Sequence, residues 1–290
     1  MKRGINSIHS GAPVHWVGDG FRVKNYFPGG MNFGKRISPF LLLDYHPPHE
    51  YTPTDSPRGV GVHPHKGFET VTLAFQGAIA HHDSHVGSGV IGPGEVQWMT
   101  AGSGVLHKEY HEEQFTKNGG TMQMFQLWVN LPAKYKSHAP RYQAITNEDM
   151  GRIPIGEKGS EIILIAGEKD SVKGPAETFT PIHLWRVILK AGDTFEASLP
   201  EDFNTAILVT EGSATAQDER AVSGNDFIMF NNDGTEIRIE AKEDSQFVVM
   251  SGEPIDEPVA HYGPFVMNTM NEIQEAIRDF QAGKFGVLAD

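Results

Sequence analysis

Cysteine is absent from this chain of 290 residues. No disulfide framework can form, and no thiolate is available as nucleophile or metal ligand. Basic side chains are scarce relative to acidic ones: Lys and Arg number 24 against 37 Asp and Glu, a formal charge of −13. A field of that sign repels phosphate backbones, so direct nucleic-acid binding is not expected. Nowhere do about eighteen apolar residues run together, which argues against a spanning helix and a membrane partner. The opening MKRGINSIHS has two basic residues but no apolar stretch behind them, so no signal peptide is read there and a cytoplasmic protein is expected.

Glycine and proline are plentiful, at 32 and 18 residues. They punctuate short runs rich in Val, Ile, Thr, Phe and Trp, the pattern of an all-β protein with many turns. Strands are expected at Pro39–Asp44, Thr70–Phe75, Glu95–Thr100, Met122–Asn130 and Glu161–Ala166. Helical periodicity appears only near the end, over Asn271–Gln281, where Ile273, Ile277 and Phe280 share one face. Thr269, three residues before Glu272, predicts a capping box, and Gly283 a stop.

The chain repeats itself. FETVTLAFQG from Phe68 aligns with FNTAILVTEG from Phe203 at an offset of 135 residues, and GEVQWM from Gly94 with GNDFIM from Gly224 at an offset of 130. Strand, glycine turn and strand recur in the same order, which predicts two jelly-roll barrels in tandem. The polar stretch between Pro132 and Lys173 is the expected junction, giving an N-terminal barrel over residues 1–140 and a C-terminal barrel with the terminal helix over 141–290.

Fourteen histidines are present, and two pairs stand out by spacing: His63-Pro-His65 and His107-Lys-Glu109. Side chains two apart on a strand point to one face, so each pair projects two donors together. If the strands are neighbours, three imidazoles and a carboxylate converge, a donor set suited to one divalent transition metal: Fe, Ni, Mn, Cu or Zn. The same offsets place Ser198, Pro200, Ile237 and Ile239 at the corresponding positions of the second copy, so that barrel is expected to be metal-free. His81, His82 and His85 are expected on a solvated hairpin, and His111 at an exposed strand end. Glu69, four residues past His65, is a fallback ligand or a hydrogen-bond partner of the site.

Five strings, PFLLLDYH, GVHPHKGFETV, QWMTAGSGVLHKE, LWVNLP and GPFVMNTMNEIQEAIRDFQAGKFG, spread from residue 39 to 286. Together they resemble the pirin family of the cupin superfamily. The resemblance implies a bicupin with one metal, usually iron, in the N-terminal barrel, held by His63, His65, His107 and Glu109. It moves the carboxylate from the common cupin position, favouring Glu109 over Glu69. It further implies either of two activities: opening of a flavonol such as quercetin with O₂, or redox-dependent binding of a protein partner as a regulator. For the first, Glu109 is the expected base for the flavonol 3-hydroxyl, and Phe68, Trp98, Met122, Met124 and Phe125 are candidates for pocket or plain core. A monomer is expected.

Overall fold

A computed structural model describes residues 1–28, 34–85 and 87–289. The protein is an all-β bicupin with a C-terminal helix. Each of its two units pairs a seven-stranded antiparallel sheet with a four-stranded one.

In the metal-candidate barrel the larger sheet runs Arg141–Ile145, Val96–Thr100, Phe68–Gln76, Gly120–Asn130, Phe40–Tyr51, Phe21–Phe27 and His15–Val17. The smaller runs Gly59–His65, Val105–His111, Ile79–Asp83 and Ser88–Ile91. The expected strands all form; those expected from Pro39 and Glu95 begin one residue later, at Phe40 and Val96, and others run longer than expected. Phe68–Gln76 is buried along nearly its whole length, because both of its faces pack against other elements. Gly67, between a candidate ligand strand and this buried one, has φ +89°, and a Cβ there would lie 2.0 Å from the Val266 carbonyl oxygen. Only glycine fits so close an approach in that backbone conformation.

In the other barrel the smaller sheet pairs Thr194–Ser198 with Glu236–Ala241, and Ala197 stands opposite Ile237. In the first barrel His63 stands opposite His107. Strand register therefore makes Ala197, rather than Ser198, the counterpart of His63. The offset misses by one because the register of Gly59–His65 against Val105–His111 shifts between His107 and Glu109. A one-residue slip exchanges faces. The interior of this barrel is filled by apolar side chains, among them Phe195, Ala197, Leu199, Ile237 and Ile239.

No single boundary near residue 140 divides the chain. Arg141–Ile145 pairs with Val96–Thr100, which extends the first barrel to Asn147. The amino-terminal strand Ile5–His9 instead pairs with Phe227–Phe230, with Ile5 and Ile8 against the second barrel's core. From Ile255 onward the chain belongs to the first barrel's unit. Apolar burial contributes to this assignment: Ile273 and Ala276 of the helix cluster with Phe265, Met267 and Phe285, and Leu106 of the first barrel packs against that cluster. The helix, Met270–Gln281, carries the expected capping box, with Thr269 N donating to Glu272 at 2.8 Å and Glu272 N to Thr269 Oγ1 at 3.3 Å. Lys66 Nζ donates to Asp279 on the helix at 2.8 Å, beside the candidate ligand strand. Phe280, expected on the buried face, is 40% exposed.

Candidate metal centre

The smaller sheet of the first barrel brings the chemistry together. His107 stands opposite His63 on one side and Asp83 on the other, and Glu109 stands opposite His81. Odd-numbered side chains of Val105–His111 are buried, so His107 and Glu109 share the inward face. His63, His65 and His107 bring their donor nitrogens within 4.8 Å of one another, with ring centroids 4.2–4.9 Å apart. A second group, His81, His107 and Glu109, meets the same distance and overlaps the first at His107.

Burial favours the neutral form of two of these imidazoles, His65 and His107. Burial, reinforced by neighbouring imidazoles, holds His65 and His107 well below the ordinary histidine range. His63 Nδ1 donates to the Gly61 carbonyl at 2.8 Å, which leaves its Nε2 as a lone pair. Nδ1 of His65 and Nε2 of His107 are buried without a hydrogen-bond partner among the described residues. Buried polar atoms are almost always paired, so orphaned nitrogens gathered at one point fit a metal ion.

Glu109 is held by two amides. Gln97 Nε2 donates to its Oε1, and Gln126 Nε2 donates to its Oε2 at 2.9 Å. Thr72 Oγ1 accepts from both glutamines, at 3.2 and 3.3 Å, and the Tyr142 hydroxyl donates to Gln97 Oε1 at 3.4 Å. This web fixes which end of the Gln97 amide faces the carboxylate. A cavity of about 370 Å³ opens onto the group. Phe21, Val23, Val60, Met124 and Trp128 give it apolar walls, and His63, His65 and Glu109 line it with them.

Residues 20–129 match the family model described as Pirin, and residues 184–286 that of the pirin C-terminal cupin domain. The chain belongs to the pirin family. A Pseudomonas aeruginosa protein provisionally named a quercetin 2,3-dioxygenase is 47% identical over 285 residues, covering 98% of this chain and 99% of its own. A pirin-like protein of Solanum lycopersicum is 37% identical over 256 residues, covering 87% of this chain and 83% of its own. The crystal structure of a quercetin 2,3-dioxygenase from Acinetobacter baumannii superposes with TM-score 0.96 at 45% identity, covering 100% of both chains.

Within this pirin fold several expectations change. His81 is not solvated: it is 1% exposed, its ring stacks on Tyr142 at 4.9 Å and its Nε2 donates to Asp83 Oδ2 at 3.0 Å. His82 and His85 are exposed. His111 is buried among Phe21, Tyr51 and Phe115, and its Nε2 donates to the Gly20 carbonyl at 2.8 Å. Glu69 lies on the face of its strand opposite Thr72, away from the glutamines and histidines. There it accepts from Thr100 Oγ1 at 2.7 Å, and burial pushes its carboxyl up to about 7. Of the apolar candidates, Met124 lines the cavity and Phe68 packs on Trp128, with centroids 4.3 Å apart. Met122 joins the adjoining core; Trp98 and Phe125 pair with Val71 and Leu73, on the Glu69 side of the sheet. Trp128, Gln97, Gln126 and Asp44 have no spacing signal in the sequence. Asp44 lines the cavity, accepts from Asn25 Nδ2 at 2.7 Å, and burial raises its carboxyl.

Proposed function

We propose that this protein is a metal-dependent dioxygenase that opens a flavonol such as quercetin with O₂. His63, His65, His107 and Glu109 hold one divalent transition metal, with iron the first expectation from the family. The observation that carries the reading is the apolar cavity of about 370 Å³ opening onto His63, His65 and Glu109, a volume within the range of sites that bury small aromatic ligands. When bound, the metal supplies open coordination positions, Lewis acidity toward the flavonol oxygen and a redox route to O₂.

The chain's own groups do the rest. Met124, Phe21, Val23 and Trp128 clasp aromatic rings and exclude water. The indole N–H of Trp128 is buried without a partner among the described residues. Glu109 takes the 3-hydroxyl proton, and the Gln97 and Gln126 amides keep its oxygens aligned. Substrate recognition is by shape and a few polar contacts, consistent with an uncharged aromatic.

The test is oxygen uptake by iron-loaded protein with a flavonol panel, with carbon monoxide measured. Uptake that depends on both flavonol and metal, with carbon monoxide released, is expected. If no flavonol drives uptake, and a protein partner binds differently to the ferrous and ferric forms, the regulatory reading replaces this one.

A further inference from the structure

One buried pair is left unused by that proposal. His81 and Asp83 lie behind His107, on the side away from His63 and His65. His81 Nε2 is 3.0 Å from Asp83 Oδ2, and His81 Nδ1 is 3.4 Å from His107 Nδ1. The other Asp83 oxygen, Oδ1, accepts the backbone N–H of His85 at 2.8 Å and of Gly87 at 3.3 Å. The His81 ring cannot turn freely, since it stacks on Tyr142 with an interplanar angle of 21°.

We propose that Asp83 and His81 form a relay that sets the tautomer of His107 and so presents its Nε2 lone pair to the metal. The argument rests on His107 being a ligand, and its logic is a count of protons. A neutral imidazole carries one N–H and one lone pair. The Asp83 carboxylate offers only lone pairs, so a His81 ring that carries one proton holds it on Nε2 and donates to Oδ2. Nδ1 of His81 is then an acceptor. His107 meets it with the N–H on its own Nδ1, and the His107 lone pair is left on Nε2. That is the nitrogen buried without a hydrogen-bond partner among the described residues. Each step follows from the one before, and the starting point is fixed by two backbone N–H groups that hold Asp83. His81 and Asp83 are positioning residues: they touch the ligand, not the substrate. Metal-bound histidines are commonly held this way by a carboxylate or carbonyl on the far nitrogen, and loss of such partners weakens metal binding by about 10–100-fold. Here a second imidazole is inserted between carboxylate and ligand.

The discriminating variant is Asp83→Asn. Its Oδ1 can still accept from His85 and Gly87, so the loop is kept. Its Nδ2 donates where Oδ2 accepted, which forces the His81 proton onto Nδ1 and the His107 proton onto Nε2. Two measurements are made on full-length protein. The first is nitrogen-15 NMR of the histidine rings in metal-free protein at neutral pH. Wild type should show His107 protonated on Nδ1, and Asp83→Asn should show it on Nε2. The second is cobalt(II) affinity by chelator competition, where Asp83→Asn should bind about 10–100-fold more weakly. His81→Phe, which keeps a ring against Tyr142 but removes the acceptor, should also lose affinity. The relay is overturned if wild-type His107 carries its proton on Nε2, if the tautomer is unchanged in Asp83→Asn, or if cobalt affinity is unaltered there. A wild-type protein that takes up no cobalt at all would remove the metal centre, whereas the ring spectra of the metal-free protein judge the relay alone.

Discussion

Replacing Glu69 by Gln separates a buried acid that shapes stability from a carboxylate that serves the site. Glu69 is 1% exposed, and burial raises its carboxyl from 4.5 to about 7 despite the hydrogen bond from Thr100. In the unfolded chain the group loses its proton near pH 4.5; in the fold it does so only near pH 7. Between those values the native state binds the extra proton, so stability is full below about pH 4.5 and falls as pH rises through 7. A separation of that size corresponds to about 3 kcal/mol, at about 1.4 kcal/mol per unit. Glutamine does not titrate. Any fixed cost of seating its amide beside Thr100 is the same at every pH and cancels from the trend. The stability difference between Glu69→Gln and wild type should therefore move in the variant's favour by about 3 kcal/mol between pH 4.5 and 8. The assay is urea unfolding of metal-free protein, followed by tryptophan fluorescence across that range. Metal content of Glu69→Gln, measured alongside, should equal that of wild type, because Glu69 faces away from the histidines. A difference that stays constant with pH would mean Glu69 is already ionised in the fold, and lost metal would put it in the site after all.

Further outcomes follow from the same geometry. Protein purified without a histidine tag should carry close to one transition-metal ion per chain by elemental analysis, and the double change His63→Ala with His107→Ala should abolish it; retention, or two ions per chain, contradicts the site. Glu109→Gln keeps size and removes basicity, so metal should bind more weakly and flavonol-dependent oxygen uptake should fall by well over about tenfold, the low end of what a positioned base contributes being larger still. Gly67→Ala places a Cβ 2.0 Å from the Val266 carbonyl oxygen at φ +89°, so a loss of about 1–3 kcal/mol or more should appear as a lowered Tm, and an unchanged Tm refutes the close approach.

Local chemistry was legible in the sequence. A period of two between His63 and His65, and between His107 and Glu109, is a property of any strand, so the shared face of each pair followed from spacing alone. The Thr269–Glu272 capping box and the turn glycines are equally local, and the repeated strand–turn units announced two barrels. Tertiary structure decided everything that depends on which strand lies beside which. His81 resembles a solvated hairpin residue until Ile79–Asp83 pairs with Val105–His111 and carries its ring against His107 and Tyr142. Glu69 has a ligand's spacing from His65, yet the strand pairing that puts Thr72 beside Gln97 and Gln126 turns Glu69 to the other face. Gln97 and Gln126 reach Glu109 from two strands of the opposite sheet, and Tyr142 reaches Gln97 from a third, at separations no short motif can encode. The exchange of the terminal segments has the same origin. Ile5 and Ile8 at one end, and Ile273 with Ala276 at the other, need only an apolar surface to bury against, and which barrel supplies it is settled by the folded chain, not by the order of residues along it.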